Sequence, residues 1–86
     1  MENDFEVRTA LLAFQKIVQH GKKLPQGQHE LDGIEVESDF DGYNLTMITS
    51  KVKLMIFFHS TFKFEYDSVK DLDLFVKDIQ RISQLD

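Results

Sequence analysis

The chain has 86 residues, 42% of them apolar, which is enough for one hydrophobic core but not two, so we predict a single domain over residues 1–86. It contains no cysteine, which excludes a disulfide scaffold, thiolate metal sites and cysteine catalysis. The net charge is −5 and no Lys/Arg cluster is interleaved with aromatic residues, which argues against nucleic acid as a partner.

The sequence gives no indication of export or membrane insertion. The N-terminus is acidic and lacks the basic-then-apolar order of a secretory signal. The longest unbroken apolar run, Leu54 to Phe58, is far shorter than the ~20 residues that a bilayer span requires. We therefore expect a cytoplasmic protein without a membrane partner.

Apolar residues at three- and four-residue spacing predict a first helix from about Asp4 to His20. Gly21 is expected to end it as a left-handed cap, with Lys22 and Lys23 beyond it near the negative end of the helix dipole. Residues 24–28 contain the only proline and are predicted to form a surface connection. Two apolar residues off the main stripe, Phe5 and Leu12, are expected to pack under that loop or to face a partner.

Alternating patterns then predict a four-stranded antiparallel meander. Its first strand, from about Glu30 to Phe40, contains five acidic residues and no Lys or Arg, and it is interpreted as a solvated edge strand. The turns are predicted at Asp41-Gly42, Ser50-Lys51 and His59-Ser60-Thr61, and they set Val36 opposite Met47, Met47 opposite Leu54, Leu45 opposite Ile56 and Phe40 opposite Tyr43. The residues expected to face inward are Ile34, Val36, Phe40, Tyr43, Leu45, Met47, Val52, Leu54, Ile56, Phe58, Phe62, Phe64 and Tyr66.

A second amphipathic helix follows Asp67-Ser68, and Ser68 with Asp71 resembles a capping box. Its apolar stripe consists of Val69, Leu72, Phe75, Val76, Ile79 and Ile82. The predicted fold class is α+β, a two-layer sandwich in the order α-β-β-β-β-α, with both helices on the inner face of the sheet.

No motif in the sequence supplies catalysis or a metal site. The segment from Glu37 to Gly42 imitates the start of an EF-hand loop, but the twelfth position is Ile48 and the flanks alternate like strands. The histidines, His20, His29 and His59, have no metal-binding spacing, and Glu35 with Glu37 would share an open strand face without a cleft. We therefore predict a non-enzyme with no cofactor, no catalytic residue and no metal ligand.

One surface exceeds the expectation for a plain domain. Ile48, Met55 and Phe57 are predicted on the outer face of the sheet, which neither helix covers, and such a patch usually marks an interface. Charged residues border it, as in many protein contacts. The alternatives are scattered surface residues, or a C-terminal tail with Leu85 folded over them, and Leu74 is a lesser candidate contact.

Four segments together resemble a domain-of-unknown-function family of short bacterial proteins, over most of the chain from Phe14 to Phe75. They are Leu31–Gly33, Ser38–Tyr43, Phe57–His59 and Phe64–Tyr66. The element order is also similar, more loosely, to the double-stranded RNA-binding domain, although Ser68–Asp71 lacks the lysine cluster that begins the last helix there and a fourth strand is predicted here. Neither resemblance implies a catalytic residue.

Two functional hypotheses follow from these residues. The first is a protein-interaction or adaptor module that self-associates, as a homodimer, through Ile48, Met55 and Phe57. The alternative is a small-ligand or divalent-metal binding protein that uses the acidic strand from Glu35 to Asp41 and the adjoining loops, including His59.

Overall fold

The computed structural model describes residues 5–39, 41–58 and 60–85. Its two helices pack on one face of an antiparallel sheet whose strands lie side by side in chain order. The α+β class is confirmed, but the sheet has six strands where four were predicted. The helices are α1 (Val7–His20) and α2 (Val69–Ser83), and the strands are β1 (Lys22–Lys23), β2 (His29–Leu31), β3 (Ile34–Ser38), β4 (Asn44–Ile48), β5 (Val52–Phe57) and β6 (Thr61–Tyr66).

The first additional strand arises from a turn inside the predicted acidic strand. Asp32 and Gly33 have φ values of 54° and 85°, and Leu31 pairs directly with Ile34 across them. Two central residues with positive φ are the hallmark of the hairpin turn that Asp-Gly favours. The Gly33 N–H also donates to Glu30 Oε2 at 2.8 Å. The predicted strand is therefore a hairpin, β2 and β3.

The second additional strand is β1, which was expected to be only a basic helix end. Lys22 pairs with Glu30 and Lys23 pairs with His29, so the connection at 24–28 is a hairpin loop. With β1 and β2 outside it, β3 is an interior strand, and its interpretation as an edge strand was wrong.

Gly21 does not end α1 in the left-handed conformation. Its φ of −82° and ψ of 176° are extended, and its N–H donates to the Ile17 carbonyl oxygen at 2.7 Å. A Cβ at this position would lie 2.5 Å from that oxygen and 2.6 Å from the Glu30 carbonyl oxygen. Glycine is therefore required by close packing of α1 against β2. The predicted start of the helix at Asp4 lies outside the described residues.

The predicted register of the central hairpins is confirmed. Val36 pairs with Met47, Met47 with Leu54, and Leu45 with Ile56. The pair of Phe40 with Tyr43 lies outside the described residues. The last loop precedes its predicted position by one residue, because Thr61 belongs to β6 and pairs with Phe57. This moves the pairing by two residues, so Phe62 and Phe64 keep the inner face.

The core lies between the inner face of the sheet and both helices. Ser68 caps α2, accepting from the Asp71 N–H at 3.1 Å as predicted. Phe5 is buried and packs edge-to-face against Phe62 and Phe64, whereas Leu12 is 43% exposed. Neither described helix has the length and apolar character needed to cross a membrane. The buried residues include Ala10, Ala13, Ile17, Ile34, Val36, Leu45, Met47, Val52, Leu54, Ile56, Leu72, Phe75, Val76, Ile79 and Ile82.

Four residues predicted to be inside are exposed instead. Tyr43 is 56% exposed, Phe58 68%, Tyr66 39% and Val69 59%. Tyr43, Phe58 and Tyr66 lie at or next to the end of a strand, and Val69 is the first residue of α2. The alternating pattern predicts which face a residue takes but not where the covering layer stops.

Candidate functional site: the outer sheet face and the aromatic corner

The outer face of β4 and β5 holds the three residues predicted to form an interface. Ile48, Met55 and Phe57 are all half-buried, and each alternates with a core residue on its strand. Thr46 pairs with Met55, and Asn44 pairs with Phe57. The structure thus brings the three side chains to one face, as an apolar stripe that we call the outer patch (Ile48, Met55 and Phe57).

Charged side chains border the outer patch on both sides. On β3, Glu35 pairs with Ile48, and Glu37 pairs with Thr46. On the other side, Lys53 pairs with Glu65, and Met55 pairs with Lys63. The border on β3 is therefore acidic, whereas the border on β6 carries both a lysine and a glutamate.

The C-terminal tail does not cover the outer patch. Leu85 packs against the hydrophobic core, on the same side of the sheet as the helices. The alternative in which this tail folds over the outer face is therefore wrong.

Leu74, the lesser candidate contact, is 52% exposed on α2. It lines a separate cleft of about 320 Å³ beside the Asp32-Gly33 turn.

The acidic residues predicted to form one strand serve separate local roles. Glu30 accepts from the Gly33 N–H, and Asp32 forms an ion pair with Arg81 of α2 at 3.1 Å. Asp39 accepts from Asn44 Nδ2 at 2.8 Å within the β3–β4 loop, while Asp41 is exposed. In the described part of the chain, no group of three or more His, Asp or Glu side chains is placed to hold a metal ion.

Burial tends to raise the pKa of Asp39, but hydrogen bonds from the Asn44 backbone and side chain, with others from the Gly42 and Tyr43 backbone, outweigh it. The net result is a pKa below its ordinary value of 3.8. Asn44 Oδ1 is itself buried and has no hydrogen-bond partner among the described residues. Asp39 is therefore anionic at neutral pH, and in that form it accepts the hydrogen bonds that connect it to Asn44 across the β3–β4 loop.

The aromatic corner, which we define as Tyr43 and Phe58, was not anticipated from the sequence. The ring centroids lie 5.8 Å apart with the planes inclined by 38°, and both side chains are largely exposed. The Phe58 N–H donates to the Tyr43 carbonyl oxygen at 2.8 Å. Phe58 has φ of 56°, a conformation that is rare for a bulky residue. Nothing in the local sequence signals this conformation.

An apolar groove of about 310 Å³ lies near the corner. It runs between α1, which contributes Leu11 and Phe14, and the β3–β4 hairpin, which contributes Gly42 and Leu45. Gly42 directly precedes Tyr43. Of the described histidines, His20 is exposed at the end of α1 and His29 is half-buried in β2, and neither lines this groove. His59 lies outside the described residues.

Comparison with known proteins places the chain in a family. The model of the family described as "Protein of unknown function (DUF3081)" matches residues 5–86, and the chain belongs to this family. The match extends beyond the span from Phe14 to Phe75 over which the resemblance was predicted. No curated protein and no solved structure matches the chain.

Proposed function

We propose that this member of the DUF3081 family is a non-enzymatic interaction module that self-associates through its outer sheet face. The observation that carries the proposal is the outer patch, an apolar stripe on two adjacent strands that neither described helix covers. Apolar residues grouped on an open sheet face are stabilised when a partner removes them from water.

The charges around the patch favour a second copy of this chain as the partner. One row of the outer face reads Glu37, Thr46, Met55, Lys63 across β3 to β6. A twofold axis parallel to the strands, passing between β4 and β5, sets Glu37 against Lys63 of the second copy, and this contact occurs twice. An axis perpendicular to the strands sets Glu37 against itself, which like-charge repulsion disfavours.

The same axis also sets the contacts of the other rows. Asn44 meets Phe57 of the second copy, and Ile48 meets the aliphatic stem of Lys53. Glu35 approaches Glu65 of the second copy, whose cross-strand neighbour Lys53 offsets that charge. The molecule measures 31 × 24 × 24 Å. One whole face is therefore on the order of the ~800 Å² per partner of a standard interface, and the dimer must use most of it.

The experiment measures solution mass by light scattering over a range of protein concentrations. We expect a wild-type dimer that Phe57→Glu converts to a monomer, because a carboxylate in the outer patch would be buried without a partner. Circular dichroism checks that the variant is folded. A wild type that stays monomeric at every concentration, or a folded Phe57→Glu variant with unchanged mass, contradicts the proposal.

Charge exchange tests the direction of the twofold axis. Glu37→Lys and Lys63→Glu should each weaken the dimer, and the double variant, which restores opposite charges across the axis, should recover it. Lys70→Glu, on the exposed surface of α2, is the matched control and should leave the mass unchanged. Failure of the double variant to recover association would reject this axis.

A further inference from the structure

We propose that the aromatic corner is a docking site for an arginine side chain carried by a peptide segment of another protein. This inference concerns the end of the sheet and does not depend on self-association through the outer patch.

The first support is the exposure of two large aromatic rings on the same corner. Phe58 is 68% exposed and Tyr43 is 56% exposed, although burial of a phenylalanine is among the larger favourable contributions to folding. The two rings contact each other, so they form one aromatic surface rather than two isolated residues.

The second support is the backbone of Phe58. A φ of 56° places an aromatic residue in the left-handed region, where Gly and Asn are normally found. The hydrogen bond from the Phe58 N–H to the Tyr43 carbonyl oxygen fixes this conformation. A strained backbone that keeps the Phe58 side chain in solvent does not stabilise the core. Residues with strained backbone conformations are concentrated at functional sites, including binding sites.

The third support is the negative charge of the loop that leads into Tyr43. Asp39 and Asp41 lie within four residues of Tyr43 in the chain, and neither forms an ion pair with a described residue. Asp39 is held in the loop by Asn44, which itself pairs with Phe57. A guanidinium group can stack on an aromatic face and also donate to a carboxylate, which an ammonium group does less well. The corner therefore favours arginine.

The neighbouring groove sets the character of the rest of the segment. Its lining of Leu11, Phe14 and Leu45 suits an apolar side chain, and Gly42 connects the groove to Tyr43. A segment with an apolar residue next to an arginine can occupy both features. The chemistry that this surface recognises is thus a short basic peptide with an apolar neighbour.

The probe is acetyl-Leu-Arg-amide, compared with acetyl-Leu-citrulline-amide, which has nearly the same shape but no charge. Each is titrated into the full-length protein and followed by ¹H–¹⁵N NMR. We expect saturable shifts at Tyr43, Asn44 and Phe58 with the arginine peptide, and binding at least threefold weaker with citrulline. Equal binding of both peptides, or shifts confined to other surfaces, overturns the proposal.

Variants test the two rings and the carboxylate separately. Three single variants, Phe58→Asn, Tyr43→Thr and Asp41→Asn, should each weaken arginine-peptide binding about threefold or more. Asparagine is chosen at position 58 because it tolerates the left-handed backbone conformation. Leu74→Asn, an exposed apolar residue on α2, is the matched control and should leave binding unchanged. Arginine-peptide binding that survives Phe58→Asn in a folded protein rejects the site, whatever the oligomeric state.

Discussion

Gly21→Ala should destabilise the fold even though Gly21 has an ordinary φ of −82°. The added Cβ would lie 2.5 Å from the Ile17 carbonyl oxygen and 2.6 Å from the Glu30 carbonyl oxygen. Both are backbone atoms, so no flexible side-chain tip can move aside, and α1 must shift relative to β2. Overpacking of this kind costs about 1–3 kcal/mol. For a domain of this size, each kcal/mol lowers the melting temperature by roughly 4–8 °C.

The assay is urea unfolding followed by circular dichroism, with Gly33 as the comparison. Gly33 has φ of 85° and no neighbouring atom within 4 Å of an added Cβ, so Gly33→Ala is disfavoured by backbone conformation alone. Asparagine tolerates positive φ, so Gly33→Asn should recover part of that loss, whereas Gly21→Asn should not. A Gly21→Ala variant within about 0.5 kcal/mol of wild type, as at ordinary surface sites, would refute the close-packing explanation.

Two further predictions concern the acidic loop and the cap of α2. Because the pKa of Asp39 is lower when folded than its ordinary 3.8, its ionised form stabilises the fold above that pH, and the contribution is lost as the pH falls through the folded pKa. The stability difference between wild type and Asp39→Asn, from urea midpoints, should therefore shrink on acidification; a constant difference would contradict this. Ser68→Ala removes the bond from the Asp71 N–H and should cost about 0.5–2 kcal/mol in thermal unfolding. Ser68→Asp should retain most of that stability, and equal loss in both variants would argue against capping.

The hairpin at Asp32-Gly33 could have been predicted, because the same dipeptide at Asp41-Gly42 was already interpreted as a turn from the sequence. In a single strand, Leu31 would share the acidic face of Glu35, yet in the structure Leu31 packs against the core. The turn puts Leu31 and Ile34 on the same side as a directly opposed pair. A leucine on the wrong face was therefore the available signal.

The outer patch was placed from sequence alone, whereas the aromatic corner was not. Ile48, Met55 and Phe57 follow from strict alternation, which fixes the face of every residue once one register is known. Phe58 and Tyr43 have the parity of core residues, but they lie where α1 and α2 no longer cover the sheet. The sequence around these two residues does not show how far helices from other parts of the chain extend over the sheet.

The sequence by itself determined the features that depend on neighbours along the chain. These are the two amphipathic helices, the Ser68 cap, the register of the central hairpins and the division of strand residues between two faces. Only the tertiary structure decided the features that depend on distant segments meeting. Gly21 is needed because β2 passes close to α1, and β3 is interior because β1 and β2 lie beside it. Local propensity and periodicity act within a few residues, whereas burial depends on which segments the completed fold brings together.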